Sequence, residues 1–183
     1  LLDRQLGADE RARTRFLREK DLADRVEHPA CVPIELAGST RDGDAALVLE
    51  LVDGENLETV RRRLGGRLPL VPALRVAEDV LEFLAACHAR GVLHRDVKTA
   101  NVMFKPGRAV RMVDFGIARC DALGIGPELL LGTPSFMAPE QAGVIGEEDG
   151  RSDLFGVGAV LYTVLLGKRL HRGRTHDESM FLA

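Results

Sequence analysis

The sequence predicts an α+β fold in which a small strand-bearing part comes first and a mainly helical part follows. Two observations carry this. The longer strand-like runs, Val32–Leu36 and Ala45–Val52, both lie in the first third of the chain. Helical periodicity then dominates, at Pro72–Ala89 and Asp153–Leu166, with only short strand-like pieces at Val102–Phe104 and Val110–Val113 between them.

The elements read in order as follows. Residues 9–26 form a charged amphipathic helix, with Phe16, Leu22, Ala23 and Val26 near one face. His28-Pro29 stops it, because the residue before proline is pushed out of the helical region. The two strand-like runs are separated by Arg41-Asp42-Gly43-Asp44, a polar turn with its glycine in place. Asp53-Gly54 breaks the apolar run and a polar helix covers Leu57–Arg63. Gly65-Gly66 and Pro69 punctuate before the strong helix, whose apolar stripe is Val76, Val80, Leu84 and Cys87, with Gly91 just past its end. After Asp114 the chain turns irregular as far as Ala138-Pro139-Glu140. The hydrophobic helix Asp153–Leu166 follows, and the polar tail His171–Ala183 is expected to be poorly ordered.

Composition narrows the function classes. A chain of 183 residues suits one well-buried domain and is short for two. With 45% hydrophobic and 29% charged residues it is an ordinary globular sequence. A net charge of −3 gives no electrostatic case for nucleic acid or an anionic membrane, and the arginines are interspersed with acids, as in Asp9 to Lys20. Cys31, Cys87 and Cys120 are odd in number and far apart, which argues against a disulfide framework or a zinc site and fits a reducing cytosol. Leu154 to Leu166 is broken by Gly156 and Gly158 and too short to span a bilayer. The start, Leu1-Leu2-Asp3, has no initiator Met and no signal-peptide pattern, so the chain is expected to be a piece of a longer one.

The chemistry-bearing residues cluster. His94-Arg95-Asp96-Val97-Lys98-Thr99-Ala100-Asn101 puts an aspartate, a lysine and an asparagine on one short loop, and Asp114-Phe115-Gly116 puts a second aspartate 18 positions beyond the first. Asp96 is the candidate to orient and deprotonate an acceptor hydroxyl, and Lys98 can reach a transferring phosphate. Asn101 and Asp114 offer hard oxygen ligands, which suit magnesium bridging phosphates better than zinc. His28, His88, His171 and His176 show no metal-ligand pattern and read as structural or solvent-exposed. Cys120 reads as an inert small residue. Gly156-Val157-Gly158 lacks the third glycine and the strand of a dinucleotide fingerprint, so it reads as close helix packing.

The eight-residue loop, the spaced Asp-Phe-Gly and the downstream Ala-Pro-Glu, in that order, resemble the eukaryotic-type serine/threonine protein kinases of bacteria over nearly the whole chain. The resemblance implies a bilobal kinase fold truncated at both ends. Residues 1–52 would be a partial N-lobe, one helix and two strands, with the hinge. Residues 53–183 would be a mainly helical partial C-lobe through the central hydrophobic helix. It implies ATP and Mg2+ as cofactors and a protein Ser/Thr substrate. No nucleic acid is implied, and contact with a membrane only through segments outside these residues; the location is cytoplasmic. The implied catalytic set is Asp96, Lys98, Asn101, Asp114 and Thr133, with Asn101 and Asp114 on the metal. For the nucleotide, Glu19 resembles the helix glutamate that pairs the ATP-binding lysine, and Leu49 the gatekeeper. Glu50 to Val52 resemble the hinge, Met103 the residue under the adenine, and Asn56 sits near the ribose position. Lys98 and Thr133, in Gly132-Thr133-Pro134, match the serine/threonine subclass. His94 is expected to pack beneath Phe115, and Glu140 and Asp153 to be structural acids, Asp153 anchoring the catalytic-loop backbone.

The departures matter equally. No Gly-x-Gly-x-x-Gly occurs, and no Val-Ala-x-Lys precedes Glu19; counting back by the family's spacing lands just before Leu1. The 183 residues alone are therefore expected to have little activity, and the exposed edge to favour aggregation. Glu140 is expected to lack its usual arginine. Arg95 belongs to a class that binds a phosphorylated residue, yet Ile117 to Leu131 holds no Ser, Thr or Tyr, so Asp121 or Glu128 is expected to supply the charge instead. Two rival readings compete with this one. A pseudokinase or regulatory binding module would need an impaired site, which the intact Asp96, Asn101 and Asp114 oppose. A small-molecule kinase of the aminoglycoside type would not be expected to carry Ala138-Pro139-Glu140 or Gly132-Thr133-Pro134.

Overall fold

The computed structural model describes residues 10–105, 107, 109–115, 134–142 and 147–170, and its elements fall within a few residues of those the sequence predicts. Helix α1 is Glu10–Ala23; it buries Ala23 and Glu19 and ends well before Pro29. Lys20 ties its last turn down, bonding Asp24 at 2.9 Å and the carbonyl of Ile34 at 2.8 Å. Strands β1 (Ile34–Ser39) and β2 (Ala45–Leu49) then pair antiparallel, Leu36 opposite Val48 and Ser39 opposite Ala45. Gly43, at φ 86°, makes the turn between them. Leu36 and Val48 face solvent together, so one side of this two-stranded sheet is apolar and uncovered. β2 stops three residues short of the predicted strand end and leaves Glu50–Val52 as a connector, with Leu51 86% exposed.

The second sheet begins at the two-residue strand β3 (Glu55–Asn56), which pairs with β4 (Val102–Phe104); β4 in turn pairs with β5 (Val110–Met112). Gly54 permits this approach: a Cβ there would lie 1.7 Å from the Phe104 carbonyl oxygen. Helix α2 (Leu57–Arg63) follows directly, capped by Asn56, whose Oδ1 accepts the Thr59 N–H at 2.8 Å.

Helix α3 (Leu70–His88) starts two residues before the predicted Pro72, which sits in the first turn where an absent N–H breaks no helical bond. Its stripe Val76, Val80, Leu84 and Cys87 is buried as predicted, together with Phe83. Helix α4 (Gly150–Leu166) is capped by Asp149, which accepts the Arg151 N–H at 2.8 Å, and ends at Gly167, at φ 69°. Among the described residues no helix is long and apolar enough to cross a membrane.

The core is continuous from α1 to α4, through Val26, Ile34, Leu57, Phe83, Val102, Met112 and Val160. One backbone tie joins the part bearing α1 to the second sheet. Met112 N–H donates to Ala30 O at 2.6 Å and Val32 N–H to Met112 O at 3.2 Å, with Cys31 bridged to Met112 in parallel.

Candidate active site

The segment His94–Asn101 has no helix or strand to hold it, so side chains do. Asp153, in the first turn of α4 and 2% exposed, accepts the backbone N–H of His94 at 3.0 Å and of Arg95 at 2.7 Å. His88, at the end of α3, bonds the same carboxylate at 2.7 Å. The role expected for Asp153 and the structural reading of His88 both agree with this geometry. Two turns of α4 also touch the loop, because Gly156 leaves room for it: a Cβ there would lie 2.9 Å from Val97 Cβ. Gly158 has no such neighbour, so close packing accounts for Gly156 alone.

The loop folds its functional groups onto one carboxylate. Asp96 Oδ2 takes Lys98 Nζ at 2.6 Å and Asn101 Nδ2 at 3.0 Å, and the same amide also donates to Asp96 O at 3.0 Å. With its nitrogen on Asp96, Asn101 has its side-chain oxygen to offer a hard cation. Val113 N–H donates to Asn101 O at 3.1 Å, which brings Asp114 beside Asn101. Asp114 is exposed, at φ 58°, and Arg95 has φ 67°. Two non-glycine residues thus hold left-handed backbone on either side of Asp96, a conformation that costs energy and persists only where neighbours enforce it. Among the described residues no three His, Cys, Asp or Glu side chains form a self-contained metal cage. An Asn–Asp pair of hard oxygens instead fits magnesium that takes its other ligands from phosphate and water.

His94 is fully buried, its ring 5.1 Å from that of Phe115 and 5.9 Å from that of Phe83. Burial pushes its pKa down, so the imidazole is neutral and packs rather than catalyses. Glu19 comes to the same region from α1. It is 7% exposed, and burial first, then Asp114 and Asp96, push its carboxyl up to about 8. Among the described residues no lysine or arginine forms an ion pair with it. Glu19 thus lies close enough to Asp114 and Asp96 to feel the charge of both.

On the connector, Glu50 meets Arg111 at 2.7 Å and Lys105 at 3.4 Å, and these bonds hold its carboxyl below the usual range. Val52 is buried, Leu49 and Met103 are half-buried, and Asn56 stands opposite Met103 between β3 and β4. The expected ribose role of Asn56 competes with its cap, which already occupies Oδ1.

Two residues find partners that the sequence did not suggest. Glu140 accepts the Ser152 hydroxyl at 2.6 Å. Glu148, from the acidic run ahead of α4, pairs with Arg95 at 3.2 Å. Asp121, Glu128, Cys120, Gly116, Gly132, Thr133 and the tail from His171 lie outside the described residues. The sequence reading also missed Gln141, which accepts the Ala138 N–H at 3.1 Å and donates to Arg95 O at 2.9 Å. It missed Glu58 as well, whose carboxylate takes Arg61 at 2.7 Å, Arg62 at 2.9 Å and Thr99 Oγ1 at 3.1 Å. The signal for Glu58 was present, as arginines three and four residues further along one helix.

Comparison with known proteins points to one family. A family model described as the protein kinase domain matches residues 4–182. The serine/threonine-protein kinase pkn3 of Myxococcus xanthus is 37% identical over 179 residues, covering 91% of this chain and 32% of that protein. The serine/threonine-protein kinase pkn2 of the same organism is 40% identical over 176 residues, covering 92% of this chain and 21% of that protein. The crystal structure of the Mycobacterium tuberculosis PknI kinase domain, in a mutant form, superposes with a TM-score of 0.74 at 29% identity, covering 96% of this chain and 64% of that one. The chain thus spans a third or less of the length of these two curated relatives.

Proposed function

Because the chain belongs to the protein kinase domain family, we propose that the whole protein transfers the γ-phosphate of ATP to serine or threonine hydroxyls of protein substrates. The observation that carries this is the convergence of Lys98 and Asn101 on Asp96 Oδ2, with Asp114 held beside Asn101.

Phosphoryl transfer asks for positioning and charge neutralisation more than for covalent chemistry by the protein. Asp96 accepts the proton of the substrate hydroxyl as it attacks, and the two bonds to Oδ2 keep the carboxylate in one orientation. Lys98, within 2.6 Å of that carboxylate, places its ammonium where the transferring phosphate and the hydroxyl meet. Asn101 and Asp114 would hold Mg2+, which would supply positive charge to offset that of the phosphates. Backbone groups of Glu50 to Val52 bind the adenine edge, with Leu49 and Met103 against its ring and Asn56 at the sugar. Glu19 orients a lysine on the phosphates. Thr133 would serve as a substrate-positioning hydroxyl. Residues 1–52 serve as the partial N-lobe and hinge and 53–183 as the partial C-lobe. The catalytic part works in the cytoplasm, any membrane anchor lies outside these residues, and nucleic acid is not a partner.

Asp96→Asn in the natural full-length protein tests this on a Ser/Thr peptide panel with small amines as controls. The expected result is a loss of about 10²- to 10⁴-fold in kcat, as for removal of a positioned base. Equal turnover by the variant, or transfer to amines alone, would sink the reading. Residues 1–183 taken alone hold neither a glycine-rich loop nor a lysine ahead of Glu19, and are expected to turn over little. Turnover by that piece, abolished by Asp96→Asn, would refute this.

A further inference from the structure

We infer that Glu58 is a positioning residue for the reaction, holding the second half of the catalytic loop through Thr99 and so setting Lys98 against Asp96. The inference rests on the kinase reading above and extends it to a residue outside the loop.

The loop's first half is fixed by α4, through Asp153 at His94 and Arg95 and through Gly156 at Val97. None of these reaches past Val97. Lys98 comes next and is only half-buried. On its far side Thr99 is 3% exposed and held at two points by one residue of α2: its Oγ1 donates to Glu58 Oε2 at 3.1 Å, and its carbonyl accepts the Glu58 N–H at 3.2 Å. The backbone half of this clasp satisfies one of the amides that a helix start leaves unpaired. Arg61 and Arg62 aim the carboxylate half, and Arg61 is itself bonded to Gly66 O at 2.9 Å. These bonds, Arg61's first, hold the Glu58 carboxyl down at about 2, so it stays an acceptor across the physiological range.

Lys98 is therefore gripped from both neighbours, Val97 by α4 and Thr99 by α2. A lysine has a long, rotatable stem, and its 2.6 Å contact with Asp96 needs a fixed Cα as well as an attractive partner. Helix α2 also begins one residue after β3, which descends from the Glu50–Val52 connector. Glu58 thus relates the loop that handles the hydroxyl to the strand that handles the nucleotide.

The test is Thr99→Val, which keeps the shape and deletes the hydroxyl, beside Thr99→Ser, which keeps the hydroxyl, and Glu58→Gln. All are made in the natural full-length protein and assayed with Mg2+-ATP and a Ser/Thr peptide. Misplacement of a reacting group predicts a fall in kcat of about tenfold for Thr99→Val, with KM for ATP unchanged. Activity is expected to return in Thr99→Ser, and Thr99→Val combined with Glu58→Gln to cost no more than the worse single change. A kcat retained in Thr99→Val, a loss confined to KM for ATP, no recovery in Thr99→Ser, or fully additive losses would each overturn the inference. So would a Thr99→Val protein that fails to fold, since the contact would then be structural. Absence of turnover by the unaltered protein would instead overturn the kinase reading, and this inference with it.

Discussion

The carboxylate of Asp153 accepts the backbone N–H of Arg95 at 2.7 Å, across 58 positions of sequence, and does so from a site with almost no solvent. Arg95 is at φ 67°, so this bond helps enforce a backbone that arginine would not otherwise choose. Asp153→Ala leaves the amides of His94 and Arg95 and the ring of His88 without their acceptor. We expect a loss of about 3–5 kcal/mol in urea unfolding, the cost of breaking a buried charged network. A variant as stable as the parent would mean that the loop holds itself.

Glu19 makes stability depend on pH with a defined sign. Its carboxyl rises from an ordinary 4.5 to about 8 in the folded chain, chiefly through burial. The folded state thus binds this proton more tightly than the unfolded state. Its contribution is fully present below pH 4.5 and is lost as pH rises to about 8. Thermal melts should show the midpoint falling across that window, by an amount on the order of a few kcal/mol in stability. Glu19→Gln should remove most of the slope. An unchanged slope in that variant would place the titrating group elsewhere.

Gly156 is the point where α4 meets the loop. Gly156→Ala puts a methyl 2.9 Å from Val97 Cβ and 3.2 Å from Val97 O, and backbone cannot step aside as a flexible side chain would. Overpacking of this kind costs about 1–3 kcal/mol, against which the helix gains only about 1 kcal/mol from replacing glycine. The expected variant is less stable and, because Val97 neighbours both Asp96 and Lys98, slower in peptide phosphorylation. Gly158→Ala is the control: nothing lies within 4 Å, so it should be neutral or stabilising.

Arg95 pairs with Glu148 at 3.2 Å, an internal carboxylate standing where a phosphate would otherwise be expected. The hypothesis is that the protein needs no activating phosphate. Phosphatase treatment should then leave its activity intact, while Glu148→Gln should lower it several-fold. Ser135 is buried, which fits poorly with a role as an accessible phosphosite. A map that places an activity-controlling phosphate on Thr133 or Ser135 would refute this.

How much was legible in the sequence followed the range of the interaction. Helices α2, α3 and α4 were read within a few residues because their periodicity and their glycine and proline punctuation are local. Asp96, Lys98 and Asn101 were legible as a cluster because spacing along one loop nearly sets their distance in space, whereas Asp114 is brought back to them by the pairing of β4 with β5. The loop partners of Glu58, Gln141 and Glu148 were not legible: each of these residues acts on the loop from a segment 41 or more positions away, and even the arginines that mark Glu58 along α2 say nothing of Thr99. The strand ends drifted for a related reason. Glu50–Val52 reads as apolar continuation, yet Glu50 turns to Arg111 and Lys105, partners that no window around it contains.

The tie between Ala30–Val32 and Met112 has a mechanical consequence. α1 is fastened close behind its C-terminal end to the strand that leads into Asp114, while its Glu19 lies about one turn inside that end. The beginning of α1 is held as well, to the hairpin of β1 and β2, where Arg13 donates to Gly43 O at 2.6 Å and to Ser39 Oγ. Helix and hairpin are therefore fastened together near both ends of the helix. A displacement of the hairpin would reach Glu19 through that fastened body, as a small, stiff adjustment relative to Asp114.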